Sequence, residues 1–91
     1  MKLGKYGMIV KKNMEEMYPT RFDELTMEGT IMDRLLEREQ EILRQKEIIE
    51  QQLKEEKPAP KTEAFTEQAK YNQMIANLVE EELKPMLEEK I

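Results

Sequence analysis

Cysteine, histidine, serine and tryptophan are all absent from this chain of 91 residues. Without thiolate or imidazole ligands the common zinc sites cannot form, and neither Ser-His-Asp nor Cys-His triads are possible. No disulfide can staple the fold, which fits a cytoplasmic setting. Long apolar runs are also missing, so no transmembrane span is expected. Lys2 and Lys5 flank no apolar segment of the kind a secretory signal requires. These absences lead to the expectation of a soluble, cytoplasmic, non-catalytic protein with no cofactor and no metal.

Glycine, valine and aromatic residues are scarce: three Gly, two Val, two Phe and three Tyr. Glu, Lys, Leu, Gln and Met dominate instead, which argues for an all-α protein. A chain of this length makes one domain at most, near the lower limit for a self-sufficient core. Eight methionines supply volume that packs adaptably but specifies structure poorly. The formal net charge is −5, so an acidic surface disfavours direct nucleic-acid binding except through the N-terminal lysines.

The most informative segment is Thr30–Lys57, which contains neither glycine nor proline and is built almost wholly of good helix formers. Met32, Leu35, Leu36, Ile42, Leu43, Ile49 and Leu53 recur at helical spacing and define one face. Thr30 is placed to cap this helix, with Asp33 near its positive end. With Leu35, Ile42 and Ile49 at heptad position d, position a holds Met32, Glu39, Lys46 and Leu53. Two charges at a fit a bundle helix better than a two-stranded zipper. A helix of roughly 40 Å exceeds what so small a chain can cover, so part of the stripe is expected to meet a partner. The candidate partner-binding residues are Met32, Leu35, Ile42, Ile49, Leu53, Glu39 and Lys46.

Upstream, Gly4 and Gly7 frame Lys5 and Tyr6 and suggest a turn or a close backbone approach. A loosely helical pattern runs from Met8 to Met17, with a short strand at Tyr6–Val10 as the competing reading. Pro19 breaks the chain near Tyr18 and suits the start of a second short helix, which Gly29 ends. Downstream, Lys57–Lys61 (KPAPK) reads as a stiff linker between antiparallel helices. Thr62 or Thr66 could cap a last helix from about Glu67, with Tyr71, Met74, Ile75, Leu78, Val79 and Glu82 spaced for one face and Leu83 carried in addition. Pro85 is expected to end or kink it, leaving Met86, Leu87 and Ile91 as an apolar tail. The expected architecture is a small helical bundle: two short N-terminal helices and a long central helix (1–57), a Pro-rich linker (58–61) and a C-terminal helix (62–91).

No catalytic constellation emerges. Glu80, Glu81 and Glu82 diverge around a helix and cannot chelate one ion, and Glu80 is placed to pair with Lys84. Tyr6, Tyr18 and Tyr71 lack the cluster of cations that phosphoryl chemistry needs. The four arginines are Arg21, Arg34, Arg38 and Arg44, and the last three share one helix that reads as solvated.

Leu3, Gly4, Lys5, Tyr6 and Gly7, followed by Lys12, Glu16, Pro19, Phe22, Leu25, Gly29 and Ile31 in an ungapped run, resemble the transposon-encoded TnpV family of small bacterial proteins. Asn72–Leu83 is vaguely similar to that family's C-terminal helix, whereas the middle departs from it and the family's tryptophan is missing. The resemblance implies a helical fold and a mobile-element context, and it implies no reaction. Two functions follow as expectations. The first is a non-catalytic protein-interaction protein, an accessory factor of a bacterial mobile genetic element. The alternative is an acidic, phosphate-mimicking inhibitor of a host nucleic-acid machine such as a CRISPR nuclease. A homodimer is expected, its long helices antiparallel, with Glu39 and Lys46 meeting their counterparts across the seam.

Overall fold

Pro19 and Gly29 divide the N-terminal half where the sequence places the breaks. In the computed structural model, which describes residues 2–61 and 64–91, helix α1 (Lys5–Met17) ends at Tyr18 and α2 (Pro19–Glu28) begins on Pro19. The missing N–H of Pro19 would be unpaired in a first turn anyway, and its fixed φ suits that position. Gly29 stops α2 in the left-handed region, with φ 75°. Its N–H donates to the Thr26 carbonyl, while that of Thr30 reaches the Leu25 carbonyl. These two bonds satisfy carbonyls that the helix end would otherwise leave unpaired. The remaining helices are α3 (Ile31–Glu56) and α4 (Phe65–Glu88).

The protein is an all-helical four-helix bundle, with no strand among the described residues. The competing strand at Tyr6–Val10 is therefore wrong, since those residues lie within α1. Three boundary expectations also need correction. Helix α1 starts at Lys5, ahead of Met8. Thr30 sits at the N-cap position of α3, but its backbone is already near-helical (φ −107°, ψ −2°) and its hydroxyl makes no cap bond. That hydroxyl is buried without a partner. Thr66 lies inside α4, whose N-cap is Ala64, and Thr62 falls outside the described residues.

Pro85 does not end α4, which continues to Glu88. A proline removes one hydrogen bond to the carbonyl four residues earlier. Here that carbonyl belongs to Glu81, an exposed residue that water can reach. The last turn and tail are fastened from other helices instead. Asn13 Nδ2 donates to the Leu87 carbonyl at 2.9 Å and the Tyr18 hydroxyl to that of Glu88 at 3.2 Å. Arg21 Nε reaches the Ile91 carbonyl at 3.0 Å and Arg38 Nη1 that of Met86 at 3.3 Å. Cationic donors are favoured at the negative end of a helix. Arg38 is thus a half-buried clamp and not part of a solvated face. Leu87 is buried and Met86 and Ile91 pack against the core, so the tail is not spare apolar surface.

These long-range bonds define the topology. Tyr6 and Asn13 contact Glu80 and Leu87, which makes α1 parallel to α4. Arg38 and Lys57 contact Met86 and Tyr71, which makes α3 antiparallel to α4. The core lies where α1, α3 and α4 run together: Tyr6, Val10 and Met14 of α1 meet Leu35, Ile42, Ile75, Val79, Leu83 and Leu87, with Leu25 of α2 closing the base. Helix α1 begins at the level of Glu80, so beyond that level α3 and α4 continue as a two-helix arm. The molecule is accordingly elongated, 54 × 23 × 20 Å.

Candidate functional site

The Gly4–Gly7 spacing has a physical explanation in Glu39. Gly4 is the N-cap of α1 and offers no side chain to hold the free N–H groups of the first turn. Glu39, from the middle of α3, supplies the cap across the bundle. Its Oε1 accepts the Gly4 N–H at 3.0 Å and its Oε2 accepts the Gly7 N–H at 2.7 Å. A carboxylate at the positive end of a helix is favourable, and ionised acceptors make the stronger hydrogen bonds. A Cβ at either glycine would stand 2.9 Å from Glu39 Oε2, and at Gly7 also 2.8 Å from Leu3 Cδ2. The carboxylate could yield only by giving up the bonds that hold it. This clasp is why α1 begins three residues earlier than hydrophobic periodicity suggests.

Beside the clasp, Tyr6 is buried in the core with its hydroxyl at the edge, donating to Glu80 Oε1 at 2.8 Å. The same carboxylate pairs with Lys5 Nζ at 3.5 Å, so Glu80 serves α1 and not Lys84. The ammonium groups of Lys5 and Lys46 lie 5.4 and 5.7 Å from the Tyr6 ring centre, within the range of cation–π attraction. Burial first, and then the bond to Glu80, push the Tyr6 phenol up to about 12 from 10.0. The raised value means that folding favours the protonated phenol. Its contribution to stability is full below pH 10 and is lost as pH rises from 10 through about 12. An absorbance titration of tyrosinate should therefore lose its component near pH 12 in Tyr6→Phe. Loss of amplitude around pH 10 instead would show that the phenol is not held.

Above Tyr6, where α1 gives out, α3 and α4 border an open cleft of about 660 Å³. Leu43, Ile75, Ala76 and Val79 form its floor, and Lys46, Glu50 and Lys54 run along its α3 edge. Leu43 is 44% exposed although it is a large aliphatic residue. Glu50 bonds Lys54 at 3.0 Å. No ion pair among the described residues includes Lys46.

The stripe predicted as a partner-binding face is divided by this geometry. Leu35 and Ile42 are fully buried in the chain's own core, and Glu39 is engaged by the α1 amides. Those three are not available to a partner, and Glu39 does not await a counterpart across a dimer seam. Lys46 borders the cleft, while Ile49 and Leu53 are half-buried between the arm helices. Met32 lies apart, with Leu3 and Met8 in a second hollow flanked by Lys2 and Lys11. Of the Leu3–Gly7 run, Gly4, Lys5 and Tyr6 line the cleft and Gly7 receives Glu39 behind it. Pro19, Phe22 and Gly29 shape α2 at the other end.

Sequence reasoning missed Glu80, Glu50, Lys54 and Ala76 as cleft residues. Two signals for the Glu39 clasp were available: a carboxylate at an otherwise apolar heptad position, and the Gly4–Gly7 spacing that suggests a close backbone approach. Among the described residues no group of acidic side chains is arranged to hold a metal ion, and no helix is long and apolar enough to cross a membrane. No protein-family model, curated protein or solved structure matches the chain.

Proposed function

We propose that this chain is a non-catalytic protein-interaction protein, an accessory factor of a bacterial mobile genetic element, and that its cleft receives a helix of a protein partner. The observation that carries the reading is the open cleft beside an arm of only two helices, where Leu43 and Ala76 are exposed next to the buried Ile75 and Val79. A groove of this form suits an amphipathic helix, whose apolar face enters while its polar face meets the charged rim. The mobile-element context rests on the TnpV-like residues, of which Gly4, Lys5 and Tyr6 form one wall of the cleft.

The alternative of a phosphate-mimicking inhibitor has less support. A mimic needs a continuous acidic surface; Glu15, Glu24, Glu41, Glu50, Glu80 and Glu89 each lie within salt-bridge distance of a lysine or arginine, which partly neutralises the exposed acidic residues. Affinity purification of the tagged chain from its native host tests the proposal. Ala76 is exposed on the cleft floor, so Ala76→Arg should block the groove without disturbing the core. Partners held by the parent should be lost from the variant, and an identical set in both would overturn the reading.

A further inference from the structure

We infer that one half of the cleft is a conformational device: its outer rim lies on an arm that opens and closes while the core stays folded, and a bound partner shifts the arm toward the closed form. The inference rests on the reading of the cleft as a helix-docking site and names how that site is regulated.

Burial divides the chain unequally. All ten buried apolar residues of the core lie at or before Ile42, or at or after Ile75. Among the described residues from Leu43 to Met74, none is buried. Beyond the reach of α1, helices α3 and α4 meet through the half-buried Ile49, Leu53 and Tyr71. Ile48 and Phe65 face solvent instead, 48% and 87% exposed. At the tip the Tyr71 hydroxyl donates to the Lys57 carbonyl at 2.7 Å, an exposed bond for which water competes. Helices owe most of their stability to packing. Segments with few buried apolar contacts and solvent-exposed backbone bonds are the first to open locally. The arm has both properties, and the core has neither.

The cleft straddles this boundary. Gly4, Lys5, Tyr6, Glu39 and Glu80 stand at the core end, fixed by the clasp and by the Tyr6–Glu80 bond. Lys46, Glu50, Lys54 and Asn72 stand on the arm. A helix seated in the cleft touches both sets, so it binds the closed arm more tightly than the open one. Such a difference in affinity is what shifts a population. The coupling is reciprocal: a change that melts the arm weakens binding, even where it touches no cleft residue.

Residue-resolved amide hydrogen exchange of the full chain tests this. The amides of Ile49, Leu53 and Tyr71 should exchange at least about tenfold faster than those of Val10, Leu35 and Leu83, through an opening that the core does not share. Gln52 is exposed and does not line the cleft, so Gln52→Pro breaks α3 within the arm without altering the docking residues. In that variant the protection of the arm should vanish, while that of Val10 and Leu83 stays within about threefold of the parent. Affinity purification with Gln52→Pro should lose the partners that the parent holds. Equal protection of arm and core in the parent, or loss of core protection in the variant, would overturn the independent arm. A broken arm that retains the partners would overturn the coupling. Failure of the docking reading is distinct, because it shows as a partner set that Ala76→Arg leaves intact while the exchange pattern stands.

Discussion

Ile42→Asp should abolish the folded state at ordinary temperature. Ile42 has no exposed surface and sits at the middle of α3, where α1 and α4 both cover it. Truncating a buried isoleucine costs about 2–5 kcal/mol. Placing a carboxylate there adds a desolvation penalty of several kcal/mol, since no cation lies in that part of the core. The sum rivals the whole stability of a small domain, on the order of 5–10 kcal/mol. Far-ultraviolet circular dichroism should show the loss of helix directly. A variant that melts like the parent would mean that the packing of α3 is wrongly described.

Glu39→Ala should be the most costly change to any polar side chain, at about 2–4 kcal/mol. It leaves the buried Gly7 N–H and the part-buried Gly4 N–H without acceptors, and it removes the anion from the start of α1. Glu39→Gln should fall between the two, because one amide oxygen can accept a bond while the amide NH2 would face a second donor. Urea unfolding midpoints of the three proteins give the order. An alanine variant with the parent's midpoint would show that the clasp contributes nothing. The loss should also appear at the cleft, because the clasp fixes where α1 begins and hence where Lys5 and Tyr6 stand.

The helices and their breaks were legible because they depend on local chemistry. Pro19 cannot continue a helix, Gly29 can adopt the left-handed conformation that stops one, and the Thr30–Lys57 segment contains neither residue until Pro58. The periodic face of α3 likewise placed Leu35 and Ile42 on the apolar stripe, but it did not show that the chain's own core, and not a partner, covers them. What the sequence by itself could not assign was the partner of each polar group. Glu39 and Lys46 look alike as charges interrupting an apolar stripe. One caps a helix 32 residues distant in the chain, and the other borders an open cleft and enters no ion pair among the described residues. Pro85 reads as a stop or a kink, and α4 passes through it to Glu88, with Asn13, Tyr18 and Arg38 holding the turn that follows. Local propensity depends on a residue and its near neighbours along the chain. The acceptors for buried amides, the donors for a helix end and the open side of a hairpin depend on which helices the fold brings together, and only the tertiary structure decides that.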